Sequence, residues 1–128
     1  MADGKSVLVI GLDPILIDFS RPDFAATGMD ATKVLAGLRS SEEELTRLGY
    51  HVQMCLTDFG ETALEVVRNH LEKKRFDCVL IAAGIRAVPS SFILFEKLIN
   101  VVHQYAPQAK LCFNTKPSDT AEAVQRWI

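Results

Sequence analysis

Two short runs, Val7-Leu8-Val9-Ile10 and Cys78-Val79-Leu80-Ile81-Ala82, are continuously apolar. Neither has the in-and-out alternation of a strand with one wet face. Such strands need cover on both faces, and the helices of β-α-β crossovers on a parallel sheet provide it. Two further stretches, His51–Thr57 and Lys110–Asn114, read as strands that do alternate. Val52, Met54 and Leu56 stand against His51, Gln53 and Thr57, and Leu111 and Phe113 stand against Lys110, Cys112 and Asn114. Alternation suits an edge, so the continuous strands belong at the centre.

Helical stretches separate these runs. From about Asp30 to Leu48, Ala31, Val34, Leu35, Leu38, Leu45 and Leu48 recur at helical spacing, and Gly49 follows as a stop. A second helix is expected from Asp58, with Glu61 three places on as a capping box and Leu64, Val67 and Leu71 as its stripe. A third runs from about Ser90 to Tyr105, ahead of Pro107, and a fourth from about Ser118 to the end. Right-handed crossovers then favour four parallel strands in the order 2-1-3-4. Helices one and four would share one face, two and three the other. The expectation is an α/β protein, a three-layer α/β/α sandwich forming one Rossmann-like, or flavodoxin-like, domain over residues 1–128.

Composition narrows the function classes. The chain is 48% hydrophobic with a formal net charge of −2, which does not supply the basic footprint of nucleic-acid binding. No run approaches the ~18 apolar residues of a membrane span. Asp13, Pro14 and Asp18 interrupt the early apolar stretch, arguing against a signal peptide, so a cytoplasmic protein is expected. Cys55, Cys78 and Cys112 are widely spaced and fall within strands, which suits buried thiols better than a zinc site or a disulfide framework. His51, His70 and His103 map to the amino ends of the strands, away from where ligands bind an open parallel sheet. No metal site is expected.

That binding place is the crevice beyond the carboxyl ends of strands one and three. Asp13, Asp18, Ser20 and Arg21 follow strand one; Gly84, Arg86, Ser90 and Ser91 follow strand three; Asn114, Thr115, Lys116 and Ser118 follow strand four. Two of these segments feed helix starts, and Arg86 and Lys116 add positive charge, so a phosphate or carboxylate is the expected ligand. Ser90, Ser91, Ser118 and Asp119 would also serve as ordinary helix caps. Asp13 and Asp18 are the candidates for acid–base work in a hydrolase or lyase, although Asp13-Pro14 also reads as a turn start. There is no G-x-G-x-x-G and no Walker lysine loop, so no nucleotide cofactor is expected.

"FDCVLIAAG" and Lys116-Pro117 are similar to the third strand and the final Lys-Pro of bacterial response-regulator receivers. Ala82, however, occupies the place of the phosphorylated aspartate, the acidic pair is reduced to Asp13, and one strand–helix unit is absent. Phosphotransfer is therefore not implied. Through "RFDCVLIAAGIR", "FEKLINVVHQYAP" and "FNTKPSDTAEAVQRW" the chain resembles small uncharacterised bacterial Rossmann-like α/β proteins. That resemblance implies the fold and a bacterial cytosol, and no catalytic residues.

The loop "GLDPILIDFSRPDF" is unusually apolar, with Ile15, Leu16, Ile17, Phe19 and Phe24. The third helix is apolar over an arc of roughly 180°, wider than the ~100° that packing on a sheet requires. The loop would act as a lid or plug at the end of strand one. Phe92, Phe95 and Ile99 would form a homodimer contact. Three readings follow: a binding module for a small anion, a small hydrolase or lyase using Asp13 or Asp18, and a ligand-free interaction module.

Overall fold

The computed structural model describes residues 4–25 and 28–128, apart from the side chains of residues 23 and 24. Phe24, one of the apolar loop residues, thus lies outside the described side chains. Four parallel strands form one sheet in the order β2-β1-β3-β4, as the strand patterning requires. They are β1 (Ser6–Leu12), β2 (His51–Thr57), β3 (Cys78–Ile81) and β4 (Lys110–Phe113). The helices are α1 (Pro22–Ala25), α2 (Ala31–Arg47), α3 (Ala63–Lys73), α4 (Ala83–Arg86), α5 (Phe92–Tyr105) and α6 (Thr120–Gln125).

Every residue of β3 is buried, as is all of β1 after Ser6. Alternate residues feed two separate cores. Leu8, Ile10, Val79 and Ile81 pack under α3 and α5 with Val67, Leu71, Leu98 and Val102. Val7, Val9, Leu80 and Cys112 pack under α2 and α6 with Leu45, Ala123 and Val124. This is the expected sandwich, with α2 and α6 on one face and α3 and α5 on the other.

α2 matches its sequence signals closely. Asp30 accepts a hydrogen bond from the Lys33 N–H at 2.8 Å as N-cap, and Gly49 at φ 98° turns the chain out after the helix. α2 also approaches the turn after β4 closely: a Cβ on Gly37 would lie 2.7 Å from Cβ of Pro117.

Several element starts differ from expectation. α3 begins at Ala63 rather than at Asp58. The Asp58 carboxylate instead accepts bonds from the N–H groups of Gly60, Thr62 and Ala63 and from the Thr62 hydroxyl. It therefore wraps a loop ahead of the helix, which competes with starting the helix at once. α5 begins at Phe92, after a 3-10 turn at Pro89–Ser91. α6 is shortened to Thr120–Gln125 by a 3-10 turn at Pro117–Asp119.

The apolar loop is divided. A 3-10 turn covers Pro14–Leu16, and Pro14 is buried. Ile17 and Phe19 pack, half-buried, on the α3/α5 core. Ile15 and Leu16 stay outside, Ile15 being 78% exposed. Among the described residues, no helix is long and apolar enough to cross a membrane.

Candidate functional site

The carboxyl edge is assembled by the exits of β3 and β4. α4 is a single turn that begins directly after β3, and its N-cap, Ala82, has no side chain able to cap it. The cap comes from the neighbouring strand: Asn114 Oδ1 accepts the Ala83 N–H at 2.8 Å. The other end of that amide, Nδ2, donates to Thr120 Oγ1 at 2.9 Å. Asn114 is 4% exposed, and one buried side chain thus ties the end of β3 to the start of α6.

Arg86 closes the same junction. Its Nη2 donates to the Asn114 carbonyl at 2.9 Å. The side chain is half-buried, and its Nε–H is buried without a hydrogen-bond partner. Among the described residues the ion pairs are Glu44–Arg47 and Arg68–Glu72, so Arg86 has no carboxylate beside it. Ser91 is 2% exposed and its Oγ is also buried and unpartnered; it makes no side-chain cap on α5. A buried donor or acceptor left unmatched costs about 1–3 kcal/mol. Two such atoms occur in the segment that follows β3.

The other expected site residues lie more loosely around this junction. Ser90 is exposed in its 3-10 turn. The Thr115 hydroxyl donates to Asp119, whose carboxylate also accepts the N–H groups of Thr115 and Lys116. Partial burial pulls the Asp119 carboxyl upward, but these bonds outweigh it and hold the group below the usual range. Lys116 and Ser118 are exposed. Ser118 lines a groove of about 220 Å³ with Met29, Lys33 and Gly37 of the α2 region, rather than meeting Arg86.

Asp13 and Asp18 close their own turns. Asp13 accepts the Ile15 N–H at 3.0 Å, and Asp18 accepts both the N–H and the hydroxyl of Ser20. The Ser20 bonds keep the Asp18 carboxyl low, so it is ionised and committed to its turn.

The three thiols are buried, and Sγ of Cys78 lies 3.3 Å from Sγ of Cys112 under α6. Burial pushes Cys55 up to about 11. The contact with Cys112, together with burial, raises Cys78 as well, leaving no ready thiolate nucleophile at either position. No group of three or more metal-ligating side chains occurs among the described residues.

Sequence reading did not anticipate that Asn114 caps α4 or that Ser91 is an orphan. Both depend on how two strand exits meet in space. In comparisons with known proteins, no family model and no curated protein matches the chain.

Proposed function

We propose that this protein is a binding module for a small anion, a phosphate or a carboxylate, held at the carboxyl edge of the sheet. Arg86 supplies the charge, with Asn114 bonded to it in the junction, Ser91 in the segment that follows β3, and Ser90, Thr115 and Lys116 in the adjoining turns; Ser118, turned to the α2 groove, is left out of the site. One observation carries the reading: Arg86 is half-buried, has no acidic neighbour in ion-pair reach among the described residues, and keeps one N–H unmatched. Charges withdrawn from water are normally paired, because desolvating a lone cation is costly. A guanidinium is suited to an oxyanion, since its parallel N–H groups match two oxygens.

The hydrolase or lyase reading is less favoured because both of its candidate carboxylates already accept turn hydrogen bonds. Amide NMR titration with inorganic phosphate, acetate and citrate tests the binding reading. The expected result is movement of the Ala83, Arg86 and Asn114 resonances that is lost in Arg86→Gln. If none of the anions moves them, or if Arg86→Gln responds like the parent, the reading is wrong.

A homodimer through α5 is a second reading, favoured by adjacent Phe92 and Ile93, which are 56% and 57% exposed. Phe95 and Ile99 contribute less, because both are half-buried on the core and Phe95 packs edge-on to Phe113 at 5.9 Å between ring centres. Sedimentation over a range of concentrations decides it, and a strict monomer removes the dimer.

A further inference from the structure

The two edges of the sheet are unlike. β4 has four residues, and its Phe113 carbonyl is occupied by the Arg126 guanidinium at 3.0 Å. β2 has seven residues, with no proline, glycine or charged side chain among them. Short length, charge and proline are the usual means of keeping an edge from pairing, and β2 has none of them.

The free groups on β2 can be identified. The His51 N–H donates to Lys5, and the Thr57 carbonyl accepts from Asp13, so both point inward to the β1 side. Directions alternate along a strand. Val52, Met54 and Leu56 therefore present their N–H and C=O groups outward. Of these, the Met54 carbonyl accepts the Gln53 side-chain amide at 3.1 Å.

Beside this edge lies a groove of about 460 Å³, between β2 and the last turns of α3. It exists because α3 covers Cys55 but leaves Gln53, on the same face of β2, exposed. Its polar lining is Gln53, Asn69, His70, Lys73 and Lys74, over a floor containing Phe76. None of its lining residues is acidic. Glu72 is turned to Arg68 at 3.3 Å, and Asp77 accepts the Ser6 N–H. Lys74 sits 5.7 Å from the Phe76 ring centre, and neither lysine is ion-paired among the described residues.

We propose that the β2 edge is a docking site for an extended acidic peptide, which adds to the sheet as a fifth strand. Its backbone pairs with Val52, Met54 and Leu56, and acidic side chains on one face enter the groove beside Lys73, Lys74 and His70. In this mode main-chain bonds give affinity, and the pocket for alternate side chains gives selectivity. Charge selects the occupant. A second copy paired across a two-fold axis would bring its own basic groove against this one, whereas an acidic strand neutralises it.

The test uses the full chain and a peptide of about seven residues alternating Glu and Thr, matched to a typical strand length. Controls are the Gln-for-Glu peptide and a peptide N-methylated at alternate residues. The expected result is slowed amide exchange at Val52, Met54 and Leu56. Affinity should fall by about tenfold or more with the Gln peptide or in the Lys73→Glu/Lys74→Glu variant, and binding should be lost on N-methylation. Equal affinity for the Gln peptide overturns the proposal, as does binding that survives N-methylation. So does protection of these amides by self-association without peptide, or no binding at all. The Gln and N-methylated peptides keep the test decisive even if the charge-reversed variant folds poorly.

Discussion

Replacing Asn114 with Ala removes a buried side chain that spans the exits of β3 and β4. Two hydrogen bonds disappear, from Ala83 N–H and to Thr120 Oγ1. Each contributes about 1 kcal/mol net. The Ala83 N–H, in a part-buried position, then lacks an acceptor, which adds about 1–3 kcal/mol wherever water cannot replace it. Thr120 suffers less, because its hydroxyl also donates to the Pro117 carbonyl at 2.9 Å. The expected loss is therefore about 2–5 kcal/mol, the lower end where water reaches the Ala83 N–H, and large beside the ~5–15 kcal/mol total of a typical domain. Urea unfolding followed by far-UV circular dichroism measures it as a lower midpoint at unchanged slope. Thr120→Val and the double variant complete a cycle, whose coupling should be about 1 kcal/mol. A loss below about 0.5 kcal/mol for Asn114→Ala would refute the claim that this amide holds the junction together.

Gly37→Ala should destabilise the chain by about 1–3 kcal/mol despite alanine's better helix propensity, because the new methyl meets the rigid Pro117 ring; calorimetry checks the sign. Ile15→Ser should change stability by less than about 0.5 kcal/mol, whereas Phe19→Ala, which strips the half-buried anchor of the same loop, should cost clearly more in the same urea assay. An aromatic disulfide reagent should leave all three thiols essentially unmodified in the native protein and titrate three in denaturant, since Cys55, Cys78 and Cys112 are buried. The Thr62 hydroxyl and the Gly60, Thr62 and Ala63 N–H groups lower the Asp58 carboxyl in the folded chain. Its contribution is complete above the unfolded value of about 3.9 and fades as pH falls through the lower folded one. Asp58→Asn should therefore flatten the acid limb of stability against pH, and an unchanged limb would exclude this role.

The layout of the sheet was legible because burial on two faces leaves a direct mark on a strand. The unbroken run Val7–Ile10 and the alternating run His51–Thr57 identified a central and an edge strand, and chirality of the crossovers then allowed little choice of order. Asp30 and Gly49 were equally readable, since capping and chain reversal are local matters. Asp58 misled for the same reason. Asp followed by Glu at the third place suits a capping box, but the carboxylate reached farther, to Thr62 and Ala63, and wrapped a loop first.

The carboxyl edge was legible as a place and less so as an arrangement. Arg86 and Asn114, 28 residues apart in the chain, meet as expected of strand exits, whereas Ser118 turns to the α2 groove. Periodicity and turn chemistry, being properties of neighbouring residues, were enough to determine four parallel strands, their order and the two helical layers. Which buried polar atoms find partners was decided only by tertiary structure. The Asn114 cap on Ala83 and the orphaned Arg86 Nε both depend on distances between segments far apart in the chain, and a hydrogen bond is made or lost within about an ångström of such a distance.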